Sequence, residues 1–296
     1  MMERALSKAG LSCLVSVVLV FTIAQAGPVS GSQMFVSFNG LTEEEIWRAN
    51  GEGLGVRVVL SGLADVRKVQ IDAVNNKLLW AELDLGIRRA DFDGSNDETL
   101  VFIEGGQAVR LDHAMGKMYY LVYNRIWRAS LDGSDQELLY TGTGNPQDLA
   151  LDLSAGVMYW GEPVNSKILR CNLDGSNVQD VLVGHDPSGL ALDLSAGKIY
   201  WSDQSVDRIR RANLDGSNVE DLFAATNVND LEIDLEIEKL YYLEFSSVKR
   251  ANFDGTSQET LLTGFEQARG ISVDNTPIFI DGFESGDTTA WSSSVP

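Results

Sequence analysis

Two histidines, His113 and His185, are the only imidazole groups in this chain of 296 residues. An imidazole can act as a general base or as a metal ligand, but each role needs partner groups that converge on it. Catalysis needs a nucleophile, and a metal needs further Asp, Glu, Asn or His ligands. No nucleophile stands beside His185 in the sequence, so the fold would have to assemble any such site.

The two cysteines are the other candidates for reactive groups. Cys13 lies in an apolar run near the N-terminus, and Cys171 occupies a position at which related segments of the chain carry alanine. This substitution pattern indicates a small buried residue and not a reactive thiol. Because Cys171 is the only cysteine beyond the N-terminal run, we expect no intramolecular disulfide in the exported chain.

The N-terminus predicts export. Arg4 and Lys8 precede an apolar run from Leu11 to Ala24, and the small-x-small pattern Ala24-Gln25-Ala26 follows. This order is typical of a secretory signal peptide, and the apolar run is shorter than the roughly 20 residues of a membrane span. We expect residues 1–26 to be removed, the mature form to have no membrane span, and the protein to be periplasmic or extracellular.

The net charge excludes one class of partner. The formal charge at pH 7 is −20, which would repel a phosphate backbone, whereas a nucleic-acid binder presents a basic patch. We therefore expect no nucleic-acid partner.

Six copies of one unit occupy most of the chain. Each contains a turn dipeptide ending in glycine, and the spacings are 43, 39, 42, 41 and 39 residues between Gly51, Gly94, Gly133, Gly175, Gly216 and Gly255. The best-formed copy, Gly189 to Phe223, has four short runs rich in β-branched and aromatic residues, separated by turn residues. Such runs predict strands, and Asp-Gly turns suit the hairpins between them. Four-stranded units of about 40 residues are typical of β-propeller blades.

The two ends of the repeat region complete the count of blades. Met34 to Leu60 supplies three strands without an innermost one, and the segment ARGISVD, which ends at Asp274, supplies an innermost strand alone. Together they predict a sixth blade. The predicted fold over residues 33–274 is an all-β, six-bladed β-propeller of four-stranded antiparallel blades, closed by terminal strands that share one blade.

The pattern LALDLSAGKIYWSD followed by IRRANLDGSN resembles the YWTD repeat of the low-density-lipoprotein receptor class B, whose members form six-bladed propellers. The likeness covers about residues 33 to 274 and is strongest from Leu149 to Phe223. The resemblance implies a binding or structural propeller and not a catalyst. We expect a secreted, stand-alone, monomeric scaffold whose ligand is a protein or a glycan.

Two charged residues recur once per unit and are interpreted as parts of the scaffold. An arginine precedes each Asp-Gly turn, and an aspartate ends each innermost strand. A ligand rarely shares sixfold symmetry, so we expect the arginines to bond carbonyls or carboxylates within and between blades and the aspartates to cap turns. In the best-formed copy, the predicted structural residues are Asp193, Tyr200, Trp201, Arg211, Asp215 and Gly216.

Ligand binding is expected where the copies differ. If the strands of a blade run from the axis outward, the Asp-Gly and LSAGK-type turns share one face, here named the turn face. The other loops share the opposite face, named the variable face, and variable loops on a rigid frame commonly carry binding. The predicted binding residues on the variable face are His185, Asp186, Asp203, Asp207, Asn229 and Glu244.

One position of the innermost strand is predicted to face the central channel. It is Gln70, Arg110 or Glu232 in three copies and small in the others. These polar side chains either pair with each other and with water or line a small-molecule channel. The channel keeps an alternative function open, a lactonase- or lyase-like propeller enzyme with His185 as its base and a metal in the channel mouth. No cofactor is predicted, although calcium held by Asp and Asn oxygens stays open without a dedicated motif.

The last segment of the chain, residues 275–296, departs from the repeat. Ile278 to Trp291 resembles a short C-terminal segment of proteins exported by Gram-negative bacteria, which favours a bacterial source. The segment could add an edge strand, cap the ring or act as a sorting signal.

Overall fold

A computed structural model of the protein describes residues 32–39, 43–264 and 266–274. The predicted signal peptide and the predicted C-terminal tail lie outside the described residues. The described part contains 24 β-strands and one short 3-10 turn, Pro163–Asn165. The strands form six antiparallel sheets of four strands each, and every sheet is one blade.

The strands are grouped below by blade. The first three belong to blade VI and are β1 (Gln33–Asn39), β2 (Glu44–Asn50) and β3 (Arg57–Leu63). Blade I contains β4 (Val66–Asp72), β5 (Lys77–Glu82), β6 (Gly86–Asp91) and β7 (Glu98–Val101). Blade II contains β8 (Gly106–Asp112), β9 (Lys117–Val122), β10 (Arg125–Ser130) and β11 (Glu137–Thr141). Blade III contains β12 (Leu149–Asp152), β13 (Val157–Glu162), β14 (Lys167–Asn172) and β15 (Gln179–Val183). Blade IV contains β16 (Pro187–Asp193), β17 (Lys198–Asp203), β18 (Arg208–Asn213) and β19 (Glu220–Ala224). Blade V contains β20 (Val228–Asp234), β21 (Lys239–Glu244), β22 (Ser247–Asn252) and β23 (Glu259–Thr263), and β24 (Gln267–Asp274) completes blade VI.

The ring closes through a pairing between the two ends of the repeat region. Strand β24 pairs antiparallel with β1, so that Val36 lies opposite Ile271, and β2 and β3 follow outward. Each innermost strand contacts the innermost strands of the blades on either side, which places β4, β8, β12, β16, β20 and β24 around the axis. The predicted six-bladed propeller with a shared terminal blade is confirmed.

The hydrophobic core lies between the blades. Because successive side chains of a strand point to opposite faces of the sheet, the aromatic pair on β17 serves two interfaces. Tyr200 packs towards blade V with Leu231 and Tyr242, whereas Trp201 packs towards blade III with Ile168. Six such clusters fill the six interfaces between blades.

Cys171 packs in one of these interfaces. Its side chain is buried between blades II and III, and burial raises the pKa of its thiol to about 12. A thiol that stays protonated is a poor nucleophile, so Cys171 acts as a packing residue.

Two recurring turns form the turn face. Asp193 accepts a hydrogen bond at 2.9 Å from the backbone N–H of Ala196, and the matching aspartate does the same in four other blades. In the Asp-Gly turn, Asp215 accepts from both the hydroxyl and the N–H of Ser217, which lower the pKa of its carboxyl. Gly216 has φ +84°, and a Cβ there would overlap the carbonyl oxygen of Val181 in blade III. Both facts restrict this position to glycine.

Candidate functional site

The mouth of the central channel on the variable face is polar. It is formed by the residues that stand five positions before the aspartate ending each innermost strand, namely Arg67, Gln107, Gln147, Ser188, Asn229 and Arg269. They line a cavity of about 340 Å³, here named the polar mouth. Sequence reasoning selected only Asn229 from this ring. The signal in the sequence is that this position is polar in all six copies, although the innermost strands are otherwise mostly apolar.

A second cavity extends the polar mouth outward. It has a volume of about 410 Å³ and shares Gln147, Ser188 and Asn229 with the first. Its outer wall includes Asp186 and Val164, which lie on loops of the variable face. The two cavities therefore form one depression that runs from the axis to the loops of blades III and IV.

Two arginines give the polar mouth local positive charge in an acidic protein. Arg67 pairs with Asp65 at 2.8 Å, while the buried Nε of Arg269 has no hydrogen-bond partner among the described residues. Burial lowers the pKa of Arg269, and the charge of Arg67 lowers it further. A carboxylate or another hydrogen-bond acceptor placed here would satisfy donors that the protein leaves open.

Asp203, a predicted binding residue, is a buried structural anchor in the described loops. Burial opposes its ionisation, but hydrogen bonds from Ser205, His185, the Asp186 N–H and Arg210 outweigh burial and lower its pKa to about 2. The His185 Nδ1 lies 2.8 Å from the Asp203 Oδ2, and the Arg210 Nη1 lies 3.1 Å from the same oxygen. The carboxylate thus fastens the loop before β16 to the loop after β17.

The arrangement around His185 differs from a nucleophile-and-base pair. Ser205 donates its hydroxyl proton to Asp203 at 2.6 Å, so the serine and the histidine share one carboxylate instead of bonding to each other. A catalytic serine donates to the base that the carboxylate orients. The edge of the His185 ring also packs against Trp201. These contacts stabilise the loop and leave Asp186 at the wall of the depression.

The remaining predicted binding residues lie at different depths. Asn229 lines both cavities and donates from its side-chain amide to the Ala268 carbonyl at 2.7 Å. Asp207 is exposed and adopts the left-handed backbone conformation, with φ 53°. Glu244 forms an ion pair with Lys249 on the neighbouring strand of blade V. The structure thus brings Asn229 and Asp186 into the depression and leaves Asp207 and Glu244 outside its lining.

Below the polar mouth, a layer of charged residues crosses the channel. Four positions before the aspartate that ends the innermost strand, alternate blades carry Lys68, Asp148 and Asp230, whereas the blades between them carry alanine or glycine. The Lys68 Nζ contacts Asp230, lies 3.5 Å from the Asp148 Oδ2 and donates to the Asn229 carbonyl at 2.9 Å. Both aspartates also accept a backbone N–H from the next blade, at Leu190 and Ile271. This layer, here named the charged layer, links five blades through polar contacts.

The three predicted channel-lining residues lie on the other side of the charged layer. Gln70, Arg110 and Glu232 all line a cavity of about 380 Å³ that opens on the turn face. Arg110 donates to Asp148 at 2.9 Å and to the Val109 carbonyl at 3.0 Å. Burial raises the pKa of Glu232 to about 7 despite the opposing charge of Arg110.

We expect Glu232→Gln to stabilise the protein at pH 8. Because the folded-state pKa of Glu232 is about 7, above its ordinary value of 4.5, the stability contributed by this group falls as the pH rises from about 4.5 through 7. Glutamine mimics the neutral acid, so the variant should gain about 1–2 kcal/mol over the wild type at pH 8 and nothing at pH 5. Chemical denaturation at both pH values measures the difference. Glu236→Gln, on the exposed turn of the same blade, should show no such gain, and a loss of stability in Glu232→Gln at pH 8 would contradict the expectation.

The part of the chain that the structure describes contains neither a metal-binding cluster nor a membrane-spanning helix. Within residues 32–39, 43–264 and 266–274, no group of three His, Cys, Asp or Glu side chains is arranged to hold a metal ion. None of the described elements is a helix with the length and apolarity needed to cross a bilayer.

Curated relatives of the chain are low-density lipoprotein receptor-related proteins. The human low-density lipoprotein receptor-related protein 5-like protein is 27% identical over 152 residues, which are 48% of this chain and 60% of that protein. Low-density lipoprotein receptor-related protein 5 of Mus musculus is 32% identical over 117 residues, 37% of this chain and 7% of the relative. Low-density lipoprotein receptor-related protein 1 of Pyricularia oryzae is 32% identical over 103 residues, 29% of this chain and 33% of the relative. The chain therefore matches less than two thirds of the length of each of these relatives, and no family model matches it.

Solved structures share the fold at low sequence identity. A chain in the crystal structure of a nidogen/laminin complex superposes with a TM-score of 0.74 and 20% identity, covering 82% of this chain and 98% of that one. TolB from Acinetobacter baumannii superposes with a TM-score of 0.69 and 13% identity, covering 83% of this chain and 67% of TolB. Together with the curated relatives, these likenesses confirm the predicted resemblance to the YWTD propellers of the low-density-lipoprotein receptor class.

Proposed function

We propose that this chain, a homologue of the low-density lipoprotein receptor-related proteins, is a non-catalytic binding propeller that engages its ligand through the variable face. The observation that carries the proposal is the continuous depression formed by the polar mouth and its outer extension, with volumes of about 340 and 410 Å³. It lies where the blades differ from one another. The turn face instead repeats aspartates whose hydrogen bonds are already satisfied locally.

The chemistry of the depression favours a ligand that inserts an acceptor group into the channel mouth. Arg269 and Arg67 offer positive charge there, and the side-chain amides of Gln107 and Gln147 add donors. A carboxylate, or an amide carbonyl within a loop, would meet these donors directly. The site is therefore proposed to hold an acidic or amide-bearing segment of the partner.

The surroundings of the depression favour a protein over a glycan as that partner. Phe102, Tyr123 and Phe245 are exposed on loops of the variable face. Exposed aromatic side chains on the face that carries the depression are typical anchors of protein–protein interfaces. The relatives named as receptor-related proteins, and the nidogen fold solved with laminin, accord with a protein ligand. We further propose that the mature chain acts after export, as its N-terminal pattern indicates.

A capture experiment with matched variants tests this proposal. Immobilised residues 27–296 are presented to envelope and secreted proteins of the source cells and, separately, to a glycan array. Arg269→Gln and Phe245→Ser, on the variable face, should weaken binding of a captured protein by about tenfold or more, as expected for interface anchors. Met115→Ser, at an exposed apolar position on the turn face, should leave the affinity within about twofold.

The same preparation tests the catalytic alternative. Metal analysis and a screen of lactones should give neither a stoichiometric divalent ion nor turnover. Turnover that disappears in His185→Gln, or a partner whose binding depends on Met115 and not on Arg269, would contradict the proposal.

A further inference from the structure

The turn-face end of the channel is a cavity of about 380 Å³ with a wall that is partly aliphatic and partly polar. Val74, Leu153 and Ile233 contribute to that wall, and Gln70, Arg110, His113 and Glu232 provide its polar side chains. A concave, partly apolar site of this size with a few convergent polar groups is typical of small-molecule sites. The variable-face depression lies on the opposite side of the charged layer, so the two are separate.

An apolar collar surrounds the turn-face opening. Each hairpin that leaves an innermost strand of blades I to V carries one large aliphatic side chain that is between 40% and 72% exposed: Val74, Met115, Leu153, Leu194 and Leu235. These hairpins surround the axis, so their exposed side chains form a ring around the opening. Clustered exposed apolar side chains mark a surface that contacts something apolar. The collar extends the aliphatic wall of the cavity to the protein surface.

The polar groups of the cavity leave one carboxylate unpaired. Below the polar mouth, the cations of the charged layer and the turn-face cavity are Lys68 and Arg110, and both are bonded to the aspartates of the charged layer. Glu232 experiences their charges but forms no hydrogen bond or ion pair with any residue that the structure describes. With all groups ionised, two cations face the three carboxylates of Asp148, Asp230 and Glu232. The part of the channel below the polar mouth therefore carries one excess negative charge, located where the aliphatic wall begins.

We propose that the turn-face cavity binds an amphipathic organic cation, whose ammonium group pairs with Glu232 and whose apolar body lies against the aliphatic wall and the collar. An anionic amphiphile fits less well, because Arg110 is already held by Asp148 and by a backbone carbonyl. A net charge of −20 also attracts cations and repels anions. A bound ammonium removes the excess charge and gives Glu232 a donor.

Calorimetric titration with three probes of one shape tests the proposal. Hexylammonium, 1-hexanol and hexanoate are each titrated into the mature chain at pH 8. Hexylammonium should bind at least about tenfold more tightly than hexanol, the factor expected for a charge-assisted hydrogen bond, and hexanoate should not bind measurably. Glu232→Gln should remove this preference, whereas Glu236→Gln, which deletes an exposed charge from the turn after the same strand, should keep it.

The pH dependence supplies a further readout. The charged groups facing Glu232 are Arg110 on β8, Lys68 on β4, Asp148 before β12 and Asp230 on β20, and His113 also lines the cavity. Burial raises the pKa of Glu232 to about 7, the two aspartates add to the rise, and Arg110 and Lys68 oppose it. Affinity for hexylammonium should therefore rise as the pH increases from 6 to 8 and the carboxyl ionises. The same rise should be absent in Glu232→Gln.

A second variant keeps the test independent of Glu232. Leu153→Asn should weaken hexylammonium binding several-fold, because it removes part of the aliphatic wall, and should leave binding of methylammonium unchanged. Equal binding of hexylammonium to the wild type and Glu232→Gln, preference for hexanoate, or no binding of any probe would overturn the proposal. Arg269→Gln should not alter these titrations, so they can fail without affecting the proposed role of the variable face.

Discussion

Lys68→Met should be among the most destabilising single substitutions in the propeller. Methionine keeps the apolar stem but removes the ammonium that contacts Asp230 and lies near Asp148, which leaves buried carboxylates without their shared cation. Removing one partner of a buried ion pair costs about 3–5 kcal/mol. For a chain of this size the melting temperature should fall by about 6–12 °C, measured by calorimetry at pH 8.

The pH dependence and a double variant distinguish loss of charge pairing from loss of packing. Burial already raises the pKa of Asp230 to about 6, although the charge of Lys68 lowers it. Removing Lys68 therefore raises this pKa further, so stability is lost as the pH rises through it and is regained as the pH falls. The gap between Lys68→Met and the wild type should narrow between pH 8 and pH 5. Lys68→Met combined with Asp230→Asn should recover much of the loss, because the Arg110–Asp148 pair then remains balanced. If the loss of stability in Lys68→Met does not depend on pH, and the double variant loses the sum of the two single losses, the effect comes from packing.

The fold could be predicted from the sequence because its determinants are local and repeated. Tyr200, Trp201 and the Asp215-Gly216 turn form one strand-and-turn pattern, and the spacing of its copies gives the number of blades. The sixth blade is predicted by counting strands. The N-terminal segment supplies three strands and the C-terminal segment supplies one innermost strand, and together they make one complete blade of four strands. A closed ring removes the exposed sheet edges that would otherwise favour aggregation.

The charged layer could not be predicted in the same way. Lys68 is 80 residues from Asp148 and 162 from Asp230, and the three lie on alternate blades. Their pairing needs the closed ring and the register of each innermost strand, neither of which a local pattern provides. Once the blades are aligned, however, a position that alternates between charged and small residues is visible. That alternation indicates side chains that meet at the axis.

Asp203 illustrates a second limit of the sequence. Its loop differs among the copies, and this variation predicts that Asp203 binds a ligand. In the structure its carboxylate is buried and already accepts hydrogen bonds from Ser205, His185 and Arg210. Variation among repeats shows that a position is specialised. It does not show whether the side chain points towards solvent or fastens a loop, because that depends on strand register and on neighbouring blades.

Arg250→Met should destabilise the ring more than the same substitution at the equivalent arginine of another blade. This comparison covers the blades in which the contacts of that arginine are described. The arginine before each Asp-Gly turn bonds to a residue of the outer strand, as Arg211 does with Glu220 at 2.7 Å. Arg250 adds two hydrogen bonds of 2.9 Å to Glu52 and one of 3.1 Å to the Gly51 carbonyl, both residues of blade VI. Blade VI is assembled from distant parts of the chain, so this contact stabilises the joint at which the ring closes. The loss is expected to be about 2–3 kcal/mol.

The same substitution at two equivalent positions provides the matched series. Arg211→Met loses its bond to Glu220 and one of 3.1 Å to the Phe253 carbonyl, and should cost about 1 kcal/mol. Arg170→Met loses two exposed hydrogen bonds to the Gln179 side chain and the attraction to the exposed Asp215, and should cost less than about 0.5 kcal/mol. Methionine preserves the apolar stem at every position, so the order of the three free energies of unfolding reports the polar contacts. Equal losses at all three positions would mean that the arginines act through packing within their own blades. If the largest loss in the free energy of unfolding occurs in Arg250→Met, and blade VI is proteolysed faster in that variant, the effect lies at the contact between blades V and VI. The ring closes in blade VI, where the two ends of the repeat region meet.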